Sequence, residues 1–308
     1  MRSTLRLRAA VAAICLLALP APARPQKAPA ERTSSVELDV VVLDKDDRPV
    51  RGLHQGDFVV KEDNRPVAVT TFTEVSAAGI SGRSDSRVVS VLLDDNSVPL
   101  NATTVMQNIA RLFLSFARPA DIVSAVRLTH REDEAAGGLP AALETIDAYR
   151  AGSLGFFGRT MSEDAMQTIA KAARQLEPIE HRRKVLVCIG SRDVCDPYFE
   201  VPENSLLWKS WRDALVATAR ANVSVYVVSP GGVTGRVDLG GGLVDATGGG
   251  AFVRSNDFER SARMIWNEAG HYYLLGYVPT ARARDLHSID VSVRRSGLHV
   301  RARQKRGD

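Results

Sequence analysis

The spacing of apolar positions changes character twice along the chain, and those changes divide it. Val36, Leu38, Val40 and Val42 alternate with Glu37, Asp39 and Val41, the period of a half-buried strand. A polar turn over 44–49 and the stretch 52–56 lead to a second strand over 57–61, and a turn over 62–66 leads to a third over 67–75. Near the other end, 271–277 is a strand, and 287–293 with 298–304 forms a terminal hairpin through Arg295-Ser296-Gly297. Neither set has enough strands to bury an apolar face alone. Together they predict one small β-sandwich interrupted by an insertion.

The insertion carries another pattern. Residues 87–93 are an apolar run buried on both faces, as in a central parallel strand, and the run ends in Asp94 and Asp95. Asn96, Ser97 and Pro99 break it, and Asn101 is placed to cap a helix whose stripe is Val105, Ile109, Leu112, Phe113 and Phe116. Further strands are predicted over 121–128, 184–189 and 223–228. Helices are predicted over 141–149, 162–176 (Ser162 capping, with Met166, Ile169, Ala173 and Leu176 on one face), 206–221 and 240–247. Strands alternating with helices require a doubly wound, mostly parallel α/β sheet with helices on both faces. The glycine runs 240–242 and 248–250 read as a turn and a helix stop.

Composition alters this picture at the ends. Arg2, Arg6 and Arg8 precede an apolar core over 9–19 and a small-residue site, Ala21-Pro22-Ala23, which together read as a signal peptide over 1–23. Its removal takes away three Arg and no acid, so the formal charge of +4 becomes +1. Residues 24–34 form a flexible leader. The export reading places the chain in the periplasm, the envelope or outside the cell. Two cysteines remain, Cys188 and Cys195, which form either a disulfide or a buried thiol within a strand. Arg294, Arg295, Arg301, Arg303, Lys305 and Arg306 alternate with apolar residues, as on the wet face of a strand. Without interleaved stacking aromatics they do not make a nucleic-acid arm.

Adjacent carboxylates at the end of a parallel strand sit where open α/β sheets place their ligands. Asp94 and Asp95, with Asn96 and Ser97 beside them, are oxygen donors suited to Mg²⁺ or Ca²⁺, or else solvated acids that cap the helix. No His-Glu-x-x-His, nucleophile elbow, P-loop or Cys-x-x-Cys accompanies them. A hydrolase would therefore have to use Asp94 and Asp95 at a metal.

Several segments resemble a known family. Residues 40–50, Gly52-Leu53, 56–63, 243–249 and 272–279 are similar, in order, to the bacterial VWFA-related secreted proteins common in Acidobacteria, members of the von Willebrand factor A superfamily. The chain thus divides into a signal peptide at 1–23, a leader at 24–34, sandwich strands at 35–81 and 266–308, and an inserted domain at 82–265 that the resemblance makes A-type. The resemblance also implies a metal-ion-dependent adhesion site: an Asp-x-Ser-x-Ser turn, a later Thr, and an Asp after the fourth strand. Carried over, these are Asp94 or Asp95, Ser97, Thr160 and Asp193, with Val98 or Pro99 where the second Ser belongs. Weak Mg²⁺ or Ca²⁺ binding and a metal-free interaction fold both remain open. The function implied is an exported, non-catalytic adhesion-type module with a protein partner in the envelope or extracellular space. It would bind no nucleic acid and keep no transmembrane segment after signal cleavage. The alternatives are a metal-dependent hydrolase using Asp94 and Asp95, and a structural envelope component.

Overall fold

In a computed structural model, the runs of Val and Leu in the middle of the chain lie side by side as one parallel sheet. The structure describes residues 35–76, 86–130, 133, 135, 137–152, 158–180, 182–197, 204–230, 242–253, 256–279 and 286–306, and the side chains of 158–161 are not among them. The signal peptide and leader lie outside the described residues. Among the described residues, no helix is long and apolar enough to cross a membrane.

The parallel sheet comprises β5 (Val88–Leu93), β6 (Ile122–Arg127), β7 (Lys184–Ile189), β8 (Val223–Val228) and β9 (Ala251–Phe252), in the order β6-β5-β7-β8-β9. Every residue of β5, β7 and β8 is buried, because both faces are covered. One face packs on α1 (Thr103–Ser115), α2 (Gly138–Ala148) and α7 (Phe258–Gly270). The other packs on α3 (Gly158–Leu176), α4 (Arg192–Cys195), α5 (Leu206–Ala221) and α6 (Leu243–Thr247). This is a doubly wound α/β layout, as the alternating pattern requires. The chain turns outward to β6 on one side of β5 and returns to β7 on the other, so the switch point lies between β5 and β7.

The terminal strands build the sandwich. One sheet has the order β12-β1-β10-β4, from β1 (Val36–Leu43), β4 (Val69–Ser76), β10 (His271–Tyr277) and β12 (His299–Ala302). The other has the order β13-β11-β2-β3, from β2 (Phe58–Glu62), β3 (Arg65–Val67), β11 (His287–Val293) and β13 (Lys305–Arg306). Leu38, Val40, Phe58, Val60, Leu275 and Ile289 meet between them. Each fully buried side chain of this kind is worth about 1.5–3 kcal/mol.

Several expectations are corrected. The stretch 67–75 is two elements that leave Ala68 for different sheets. The terminal strands do not form a hairpin: β12 pairs with β1, while β11 pairs with β2 and β13, so the Gly297 turn (φ +76°) crosses between the layers. Asn101 lies in a 3-10 turn, Leu100–Ala102, and caps nothing, and Ser162 is inside α3. Helix α7 and strand β9 were not anticipated.

The later part of the basic stripe, Arg301, Arg303 and Arg306, turns inward, while Arg294 and Arg295 are exposed. Arg306 donates from Nε to the buried Glu62 at 2.9 Å, and Arg301 donates to the fully buried Glu268 at 2.9 Å. Glu268 also accepts from the Tyr226 hydroxyl at 2.8 Å. Arg303 donates to the carbonyl oxygens of Ala219 and Glu37. The second glycine run does more than stop α6. Gly248 ends the helix in the left-handed region, while a Cβ at Gly249 would stand 1.7 Å from the Val225 carbonyl oxygen and one at Gly250 would stand 2.5 Å from Arg301 Nη1. The run lets the C-terminal strand lie against the α/β layer.

Candidate functional site

The carboxyl ends of β5 and β7 meet at the switch point, and Asp94 is the first residue beyond β5. Its backbone N–H still donates to the Ile189 carbonyl at 3.0 Å, which continues the sheet by one rung. Its side chain is completely buried. Oδ1 accepts from the backbone N–H groups of Asn96 at 3.1 Å and Ser97 at 2.9 Å. Oδ2 accepts from the Ser97 hydroxyl and from the Ser191 N–H at 3.0 Å. Four donors on one buried carboxylate compensate its desolvation and fix the turn. The Asp94 carbonyl accepts from the buried Tyr149 hydroxyl at 2.7 Å, and burial, with the nearby charges of Asp94 and Asp95, pushes that phenol's pKa up.

Gly190 makes this geometry possible. A Cβ there would stand 2.2 Å from Asp94 Cβ and 2.7 Å from Oδ2. The disulfide between Cys188 on β7 and Cys195 on α4 encloses Gly190 and Ser191. It thereby ties down the loop that supplies one of the four donors.

Asp95 turns the other way. Oδ1 accepts from the Thr129 N–H at 3.0 Å, and Oδ2 accepts from the Thr129 hydroxyl at 2.5 Å and meets His130 Nδ1 at 2.9 Å. The two acids therefore serve opposite neighbours of β5. Ser97 stays with Asp94. Asp193 is exposed on α4, where its main-chain oxygen accepts from the Ser162 hydroxyl at 3.2 Å. Thr160 falls within α3, and its side chain lies outside the described residues. Among the described residues, no three of His, Cys, Asp and Glu converge as a metal cluster. In this structure the oxygens of Asp94 accept from protein donors, the Ser97 hydroxyl donates to Asp94, and the buried Val98 occupies one of the positions where the resemblance would place a second hydroxyl.

What opens at the switch point is a cleft of about 430 Å³ between the β5–α1 turn and the ends of β7 and β8. Its apolar walls come from Val98, Pro99, Ala102, Val105 and Pro230. Asn101, Ser191 and Ser229 contribute polar groups, and among the described residues no charged one lines it. Val105 is 46% exposed and the neighbouring Leu100 73%. The buried face of α1 is Met106, Ile109, Ala110, Phe113 and Leu114, one position round from the expected stripe, and this leaves Val105 to the cleft. His130, Tyr149, Gly190 and Val105 are the residues the sequence reading did not place here.

No family model matches the chain, and no curated protein matches it. Among solved structures, an aerotolerance-related membrane protein from Bacteroides fragilis NCTC 9343, with multiple mutations to serines, is similar at 14% identity. That likeness covers 59% of this chain and 97% of that one, with a TM-score of 0.38. The fold described above rests on sheet order and register and not on that likeness.

Proposed function

We propose that this chain is an exported, non-catalytic protein-binding module of the von Willebrand A type, related to the bacterial VWFA-related secreted proteins. The observation that carries the reading is the cleft at the β5/β7 switch point, where open α/β sheets hold ligands, whose described walls are uncharged groups. Large exposed apolar side chains gathered at such an opening are a feature of recognition surfaces. Asp94 acts as the internal staple of this surface, and neither Mg²⁺ nor Ca²⁺ is required for it. The test is retention of an envelope protein by the immobilised mature chain, with Leu100→Asp run in parallel. Recovery of one partner by the wild type and its loss in the variant supports the reading; equal recovery, or none from envelope and extracellular fractions, removes it.

One contact favours a second reading. His130 on Asp95, with the ring partly exposed, is an arrangement that can orient an imidazole as a general base for water. A hydrolase of this kind would lose turnover in His130→Ala and keep its fold. A panel of ester, phosphoester and peptide substrates with no His130-dependent turnover disposes of it.

A further inference from the structure

The protein-binding reading leaves open what the switch-point cleft takes in. The chemistry of its walls narrows this. An adhesion site built around a cation receives a carboxylate from its partner, which completes the metal's coordination. Here a partner carboxylate would find no charged residue among the described lining residues, and Asp94 behind the wall is buried with its oxygens already bonded. Burying a charge against neutral walls without a counter-charge is strongly unfavourable, so charge complementarity selects an uncharged group. Val98, Pro99, Ala102 and Pro230 supply the apolar contact, Val105 carries it to the mouth, and the exposed Leu100 stands in the chain between the lining residues Pro99 and Asn101. Ser191, Ser229 and Asn101 stand within the same cleft as hydrogen-bonding groups for a peptide backbone.

We infer that the cleft is a metal-independent receptor for a single uncharged, apolar side chain presented by a protein partner, with the adjacent peptide groups held by the hydroxyls and the Asn101 amide. The inference rests on the protein-binding reading for its biological setting, but not for its chemistry. The disulfide-bridged loop that carries Ser191 makes one wall rigid, so the cleft is preformed rather than shaped by its ligand.

The test uses the isolated mature chain and two probes, N-acetyl-leucinamide and N-acetyl-aspartamide in its ionised form. Each is titrated by amide NMR with EDTA and again with Mg²⁺. The leucine probe is expected to shift resonances of Val98, Ala102, Ser191 and Ser229 with roughly millimolar affinity, as suits a ligand of about a dozen heavy atoms, equally in EDTA and Mg²⁺. The aspartate probe is expected to shift none of them. Val105→Asp places a carboxylate at the mouth, on an already exposed position, and should weaken the leucine probe at least tenfold with the remaining spectrum unchanged. Leu100→Ser, beside the lining residues in the chain, should weaken it less. Mg²⁺-dependent binding of the aspartate probe, no shift with either probe, or unchanged affinity in Val105→Asp would overturn the inference. Because no partner is needed, failure here is distinct from failure to recover an envelope protein, which bears on the wider reading alone.

Discussion

Replacing Asp94 by Asn separates a structural staple from a metal ligand, because it removes the charge and keeps the shape. Four donors converge on the carboxylate: the N–H groups of Asn96, Ser97 and Ser191 and the Ser97 hydroxyl. A hydrogen bond to a charged group contributes about 1.5–3 kcal/mol against about 0.5–1.5 for a neutral one, so neutralisation weakens each by roughly 1 kcal/mol. The new amide also points an N–H₂ at one of these donors, leaving a buried N–H unpaired at a cost of about 1–3 kcal/mol. Since coupled terms do not simply add, the expected loss is about 3 kcal/mol, a large share of the roughly 5–15 kcal/mol that holds a domain folded. Urea unfolding with EDTA in both samples reads it directly. With a slope of about 3 kcal/mol per molar, the midpoint falls by roughly 1 M. If the midpoint in EDTA is unchanged, and Mg²⁺ stabilises the wild type but not the variant, Asp94 is a cation ligand and the staple argument is wrong.

Three further outcomes are expected. The Cys188–Cys195 bridge closes a loop with a sequence separation of 7, so the double variant Cys188→Ser/Cys195→Ser should lose about 2.5 kcal/mol, read by urea unfolding, with Ser191 the first amide to exchange. Glu268→Ala strips a fully buried acid from Arg301 and Tyr226 and leaves the guanidinium unpaired; a cost of about 3–5 kcal/mol is expected by thermal unfolding, and Arg301→Met in the same chain should recover part of it. Hydrogen bonds from His287 and the Ser288 N–H hold Asp63 at about 2, below its ordinary 3.8. The folded state therefore favours the charged form: its contribution is complete above the unfolded pKa and disappears as pH falls through about 2. Asp63→Asn should flatten the dependence of Tm on pH between about 4 and 2 relative to wild type.

The central strands were legible because a parallel strand covered on both faces has to be apolar throughout, as β5, β7 and β8 are. Their pairing partners were harder to read. The segments 287–293 and 298–304 look like a hairpin locally, yet Val291 and Val300 reach one core from opposite sheets, and only the distant strands β1 and β2 decide that. The inward turn of Arg301 and Arg306 was hidden for the same reason: Glu268 and Glu62, which neutralise them, are remote in sequence. At the site, Asp94 and Ser97 were found together because they belong to one turn. The Asp95–His130 contact had a signal in the register. Leu93 lies opposite Arg127, so two residues further along both strands Asp95 comes opposite Thr129, next to His130. Val105 was misassigned because a helical wheel has no absolute zero, and the true buried arc is displaced by one residue.

The place of β1 in its sheet governs the order in which the molecule can be put together. It lies between β10 and β12, with Val36 opposite Tyr277 and Val42 opposite Val300. A ribosome delivers β1 before the five-stranded layer and both of its neighbours after it. While the five-stranded sheet and its helices are being made, an apolar strand must wait with both edges unpaired. Its partners are remote in sequence, which makes this pairing slow. The α/β layer can condense from contacts close in sequence, but this sheet is sealed only when β10 and β12 have been made. Loss of His299–Ala302 would therefore be felt at the other end of the fold, where Val40–Leu43 would be left with a bare edge.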